Sequence, residues 1–203
     1  MLDKIEGFVC EQIEAHGSAP HVVLVPAIKD VHHRPVYPQP PFAARLEAAA
    51  RPYIHFAPNP ATLDVGGVRF GCCSLDVLMM LTQQEIARAP PPADGAPPPH
   101  RLSRLASHVL RQRLFLPLCP PPTDATGASL PVDLVASFER GAMASRPDVM
   151  LMPSDLAPFA KTVDGGVLAL NAGRLTRKQA GGSFAFISIH PTPAADGPSE
   201  PRT

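Results

Sequence analysis

A chain of 203 residues with 27 prolines and 14 glycines can bury a single core. It cannot sustain the long helices of a coiled coil, and it lacks the glycine at every third position that collagen needs. Its 18 basic and 18 acidic side chains cancel, so the basic excess of an autonomous nucleic-acid binder is missing, and no run of 18 apolar residues offers a membrane span.

Leu2, Ile5, Val9 and Ile13 recur at helical spacing with acids between them, and Gly17 and Pro20 end this first helix. The charges in Met1–Ala15 (Asp3, Lys4, Glu6, Glu11, Glu14) do not form a signal peptide, so a cytosolic or nuclear protein is expected. His21–Val25 reads as a buried strand closed by Pro26. Four prolines at 35–41 predict a stiff extended loop, followed by a short helix over Phe42–Ala50 and a strand over Tyr53–Phe56. Leu63–Val65 and Val68–Phe70 flank Gly66-Gly67, which predicts a hairpin.

Ser74 is expected to cap the next helix, with Asp76 in its first turn and Leu75, Leu78, Met79 and Ile86 inside. Six prolines at 89–100 predict a disordered or extended surface insertion. A helix resumes at Arg101 with Leu102, Leu105, Val109 and Leu110 inward, then a second Pro-rich loop at 117–122 and a helix over Val132–Met143. The last third predicts strands at Asp148–Met152, Val167–Leu170 and Ser183–Ile189, with a short helix at Asp155–Lys161 between the first two. Residues 191–203 are expected to be a disordered tail.

The sharpest chemical pattern is Asp30-Val31-His32-His33. An acid and two imidazoles after a strand suit a metal, and a two-metal phosphoesterase would hold a phosphoryl group there. Such a site needs further ligands, yet Gly-Asp-x-x-Asp, Gly-Asn-His-Asp/Glu and Gly-His-x-His are all missing from the sequence. A structural, hydrogen-bonded Asp30/His32/His33 cluster is therefore the plainer reading. No Gly-x-Ser-x-Gly and no phosphate loop occurs, and Gly165-Gly166 and Gly181-Gly182 read as turn glycines. Cys10, Cys72, Cys73 and Cys119 lack zinc spacing and read as reduced, buried thiols. Arg174, Arg177 and Lys178 form the densest basic patch, a candidate for phosphate contact but more simply a solvated turn or a partner contact. Arg101, Arg104, Arg111 and Arg113 read as a solvated helix face.

The string Asp30-Val31-His32-His33-Arg34-Pro35-Val36-Tyr37-Pro38-Gln39-Pro40-Pro41-Phe42, led in by His21–Pro26, closely resembles the accessory (B) subunits of eukaryotic DNA polymerase alpha. Further blocks agree in order: Gly67–Gly71, Arg113–Pro121, Pro147-Asp148-Val149, Pro153–Leu156, Asn171–Thr176 and Gly181–Ala185. The resemblance covers about residues 2 to 197, and 89–100 is the part least like the family.

The resemblance implies an α/β fold of the α+β sandwich type. It would be a partial calcineurin-like metallophosphoesterase, a two-sheet β-sandwich flanked by helices, over 1–190. It also implies a domain that has lost its metal ligands, with no catalytic residue, cofactor or metal. Asp30, His32 and His33 then look like the degenerate Gly-Asn-His-Asp/Glu motif, and Asn171, Gly173 and Arg174 like a Gly-His-x-His whose histidines are gone. The implied role is a nuclear, non-catalytic scaffold. It would bind the C-terminal domain of the polymerase's catalytic subunit directly and primase indirectly, DNA only weakly or indirectly, and no membrane. The family's oligonucleotide-binding-fold domain and its first two metal motifs have no counterpart here, so a C-terminal portion is expected. The rivals are an active metal-dependent phosphoesterase using Asp30, His32 and His33, and a single-stranded DNA binder using Arg174, Arg177 and Lys178.

Overall fold

The computed structural model describes residues 2–31, 34–86, 100–123, 129–177 and 179–190. The fold is mixed α/β, with helices packed on a mixed sheet. The first helix, α1 (Leu2–His16), stops where the sequence predicts: Gly17 takes φ 74° and its N–H donates to the Ile13 carbonyl at 2.8 Å. Strands β1 (Val22–Leu24) and β2 (Ile54–Phe56) pair in parallel, Val22 opposite Ile54. Val9, Ala50 and Ile54 are buried between α1 and this pair, joined by Ile5, Ile13 and Leu24.

The predicted hairpin forms over β3 (Ala61–Val65) and β4 (Val68–Cys72). Both turn glycines have positive φ, 61° and 80°, the backbone that a two-residue hairpin of matching twist requires. The main sheet runs β3-β4-β5-β7-β6, with β5 at Val149–Leu151, β6 at Phe159–Val163 and β7 at Val167–Asn171. β4, β5 and β7 are mutually parallel, and antiparallel β3 and β6 close the edges.

One face of this sheet presents Met150, Met152, Val167 and Ala169 to α2 (Val77–Gln84) and α3 (Arg101–Gln112). Leu78, Leu105, Ala106 and Val109 fill the contact, all buried. A fully buried aliphatic side chain of this kind contributes about 1.5–3 kcal/mol, so this layer is the main core. Gly71 sits opposite Met150 in the register, and a Cβ there would meet its sulfur at 3.0 Å. The other face carries Phe70, Cys72, Leu151 and Leu168, all half-buried. Val25 joins Cys72, Leu151 and Leu170 around a cavity of about 240 Å³ there.

Several expected elements change under tertiary contact. Residues 42–47 form no helix and 48–53 only a turn, because the Glu47 N–H is captured by the Glu6 carboxylate of α1 at 2.6 Å. Asp76, not Ser74, caps α2, its Oδ1 accepting from the Met79 N–H at 3.0 Å. Ser74 instead donates to the Pro26 carbonyl at 2.7 Å. The helix ends at Gln84, so Ile86 is fully exposed rather than inward. α4 is shorter than predicted, Leu134–Arg140, capped by Asp133. Residues 155–158 are irregular and Phe159–Lys161 belongs to β6, because the ladder with β7 overrides local helix propensity.

Residues 183–189 form no strand despite their alternation. They meet no partner strand among the described residues, and Phe184 and Phe186 are exposed. A short pair, β8 (Thr176–Arg177) and β9 (Ala180–Gly181), precedes them. The thiols also depart from expectation: Cys73 is buried, Cys10 and Cys72 are half-buried and Cys119 is exposed. The proline-rich insertion, apart from His100 before α3, and the tail 191–203 lie outside the described residues.

Candidate functional site

The parallel strands β4, β5 and β7, together with β1, aim their C-terminal ends toward one region, where an α/β sheet places its ligands. A cavity of about 360 Å³ opens there, lined by Lys29, Ser74, Asp76, Ser154, Asp155 and Arg174 among others. Four loops build it, and each is held by side chain to backbone bonds.

Asp30 lies in the loop after β1. Its Oδ2 accepts from the Ala27 N–H at 2.8 Å, while its own N–H donates to the Ala27 carbonyl at 3.0 Å. The carboxylate thus folds back on its own turn, and Ala27, Ile28 and Lys29 face the cavity instead. His32 and His33 lie outside the described residues. Among the described residues, no group of three or more His, Cys, Asp and Glu side chains is gathered closely enough for a metal ion.

Asn171 ends β7 and is buried. Its Oδ1 accepts from the Ser154 N–H at 3.0 Å and the Gly173 N–H at 2.9 Å. Its Nδ2 donates to the carbonyls of Leu156 at 3.1 Å and Ala157 at 3.3 Å. One amide therefore ties the loop after β5 to the loop after β7. Gly173 follows at φ 76°, where a Cβ would lie 2.5 Å from the Ser183 hydroxyl.

Arg174 reaches across to Asp155 in a forked pair, Nη2 donating to Oδ2 at 2.6 Å and Nε to Oδ1. The bonds and charge of Asp155 raise the Arg174 guanidinium above its ordinary range. Asp76 completes the chain: its Oδ2 accepts from the Asp155 N–H at 2.8 Å while its Oδ1 caps α2. Asp76, Asp155 and Arg174 thus neutralise or anchor one another, an arrangement suited to holding loops.

The structure brings Asn171, Gly173 and Arg174 together, as their closeness in sequence allows. Asp76 and Asp155 are site residues that sequence reasoning misses. Their only signal is an Asp just before a helix and a Pro-Ser-Asp just after a strand. The rival basic patch is partly neutralised through Arg174, Arg177 belongs to β8, and Lys178 lies outside the described residues. The arginines of α3 are not simply solvated. Arg101 and Arg104 both hold Glu85, keeping its carboxyl below the usual carboxylate range, and Arg111 holds Asp164 at 2.8 and 2.9 Å.

The sequence model of the family of DNA polymerase alpha/epsilon B subunits matches residues 4–161. The chain is 36% identical over 188 residues to the DNA polymerase alpha B subunit of Mus musculus, covering 92% of this chain and 29% of that protein. It is 33% identical to that of Schizosaccharomyces pombe, over 87% of this chain and 30% of the relative, and 29% identical to that of Drosophila melanogaster, over 94% and 28%. The chain spans about three-tenths of the length of the curated relatives it matches. With a family match that runs from α1 into β6 and an identity sustained over most of the chain, this protein belongs to the family of DNA polymerase alpha/epsilon B subunits.

Proposed function

We propose that this chain serves as part of a non-catalytic accessory subunit of the DNA polymerase alpha–primase complex. In this reading it works in the nucleus, binds the C-terminal domain of the catalytic subunit, reaches primase through it, and supports the start of DNA chains. Residues 1–190 would be the C-terminal part of an inactive calcineurin-like phosphoesterase domain.

The observation that carries this reading is Asn171. In this reading it opens the stretch that stands for Gly-His-x-His, and its side-chain amide is fully engaged by loop backbone. Asp30, Asp76 and Asp155 are likewise engaged by N–H groups or by Arg174. Carboxylates so bound are poorly placed to gather two cations. The half-buried apolar face of the main sheet, with Phe70, Cys72 and Leu151, supports a second layer of a sandwich against it.

The test is co-expression with the C-terminal domain of the catalytic subunit, followed by size-exclusion chromatography. Co-elution at equal stoichiometry is expected, together with no hydrolysis of a generic phosphodiester in manganese. Failure to associate sinks the scaffold reading. Manganese-dependent hydrolysis that disappears in D30N would instead support the phosphoesterase using Asp30, His32 and His33.

A further inference from the structure

At the opposite end of the main sheet, four arginines from separate stretches of chain converge. Arg69 comes from β4, Arg111 from the last turn of α3, Arg113 from the residue that ends that helix, and Arg146 from the loop before β5. Two adjoining hollows of about 410 and 370 Å³ share Arg146 and Gly165, and the four guanidinium-bearing residues line them.

Among the described residues, the carboxylates lining these hollows are Asp148 and Asp164. Asp164 is held in a forked pair by Arg111. Asp148 accepts from the Arg69 N–H at 2.9 Å. Four positive charges against two negative ones leave a local excess in a chain whose net charge is zero.

The end of a helix attracts basic residues by itself, which accounts for Arg111 and Arg113. It does not account for Arg69 and Arg146. Arg146 lies over the turn that follows Asp164, where Gly165 has φ 69° and a Cβ would sit 2.9 Å from the Arg146 Nη1. That turn needs glycine both for its backbone and for the guanidinium it carries. Arg111, Arg113 and Arg146 are exposed and Arg69 is half-buried, so all four can be reached from solvent.

We propose that this groove binds the sugar-phosphate backbone of a nucleic-acid strand. Guanidinium forks match phosphate oxygens, and two hollows side by side suit a repeating anion better than a single one. An acidic peptide usually needs an apolar or aromatic anchor in a pocket, and among the described residues no aromatic ring lines these hollows. With no ring to stack on, binding is independent of base sequence and sensitive to salt. The inference does not depend on the accessory-subunit reading, because it is tested on this chain alone.

The test is fluorescence anisotropy of the full 203-residue chain with a labelled oligothymidylate of roughly 20 nucleotides, over a salt series. R113N/R146Q should weaken binding about tenfold or more at low salt and reduce the salt slope by about 1.4, two phosphates' worth for a single strand. Asn suits the positive φ of Arg113, and circular dichroism identical to wild type secures the comparison. The charge change K4Q/R51Q, on α1 and the turn before β2, should leave binding unchanged. Equal losses from both pairs, no measurable binding by the wild type, or tighter binding of a polyglutamate peptide than of the oligonucleotide would overturn the proposal.

Discussion

Gln39 and Asn59 are bonded to each other three times. Their backbones pair reciprocally at 2.7 and 3.0 Å, and the Asn59 Nδ2 donates to the Gln39 Oε1 at 2.9 Å. Both are buried, at 2% and 0% exposure, so water cannot replace either partner. Gln39 also donates to the Ala27 and Arg34 carbonyls, and Asn59 accepts from the Ser74 N–H. This amide pair joins the Pro-rich loop to the loop after β1, to the start of β3 and to the loop after β4. Asn59→Leu removes one partner and strands several buried groups, each worth about 1–3 kcal/mol. A fall in the urea midpoint is expected for N59L and Q39L alike, and the double variant should lose less than the sum of the two. Additive losses would show that the two amides act separately.

Asn171 offers a second such case. Asn171→Ala leaves the Ser154 and Gly173 N–H groups without their acceptor, with an expected loss of roughly 2–4 kcal/mol. Asn171→Asp keeps the acceptor but loses the donor to Leu156 and Ala157, and buries a charge. Thermal unfolding should place both variants below wild type. An unchanged midpoint for N171A would show that the loops after β5 and β7 hold without it.

Gly173→Ala tests the neighbouring backbone. The left-handed conformation costs an alanine about 1–2 kcal/mol, and the new methyl presses on the Ser183 hydroxyl. G173A/S183G relieves the contact but not the backbone. Chemical denaturation should show partial recovery in the double variant, and complete recovery would assign the whole effect to crowding.

Acid should weaken the α3–β6 contact. Asp164 is held below the usual carboxylate range, first by the hydrogen bonds of Arg111 and then by charge, to which Arg146 adds. A lowered folded-state pKa means that the charged form favours the fold. Its contribution is complete above the ordinary aspartate value and fades as pH falls through the lower, folded one. D164N should therefore flatten the decline of melting temperature between about pH 5 and pH 2 relative to wild type. A decline of equal steepness in D164N would assign the acid sensitivity elsewhere, to Glu85 first.

The thiols should separate by rate. Burial pushes Cys73 up to about 12 and Cys72 up to about 11, whereas Cys119 is exposed. Only the thiolate is alkylated readily, so iodoacetamide near pH 8 should label Cys119 first and Cys73 only on unfolding. Peptide mass spectrometry would read the order, and early labelling of Cys73 would mean that the core opens.

Local pattern was enough for some elements. α1 was legible from Leu2, Ile5, Val9 and Ile13 with a glycine stop, and the β3–β4 hairpin from Gly66-Gly67 between alternating runs. The inward stripe of α3 was equally plain. The expected helix at 42–50 failed because its Glu47 N–H found Glu6, 41 residues away. The strand at 183–189 failed because alternation names a face but supplies no neighbour to pair with. At the candidate site, Asn171, Gly173 and Arg174 were visible as neighbours in the chain. Their partners Ser154 and Asp155 were not, because a side chain amide or guanidinium does not announce what it will bond.

By itself, then, the sequence determined the family resemblance, the α/β class and the missing Gly-Asp-x-x-Asp, Gly-Asn-His-Asp/Glu and Gly-His-x-His patterns, since these rest on residue identity and short-range period. The tertiary structure alone decided that the Pro-rich loop is anchored through buried Gln39 and Asn59, and that Asp76, Asp155 and Arg174 engage one another. It also gathered Arg69, Arg111, Arg113 and Arg146, spread over 77 positions, at one end of a sheet. Charge sums over a sequence discard position, and a chain of zero net charge can still carry a concentrated field once folding brings like charges together.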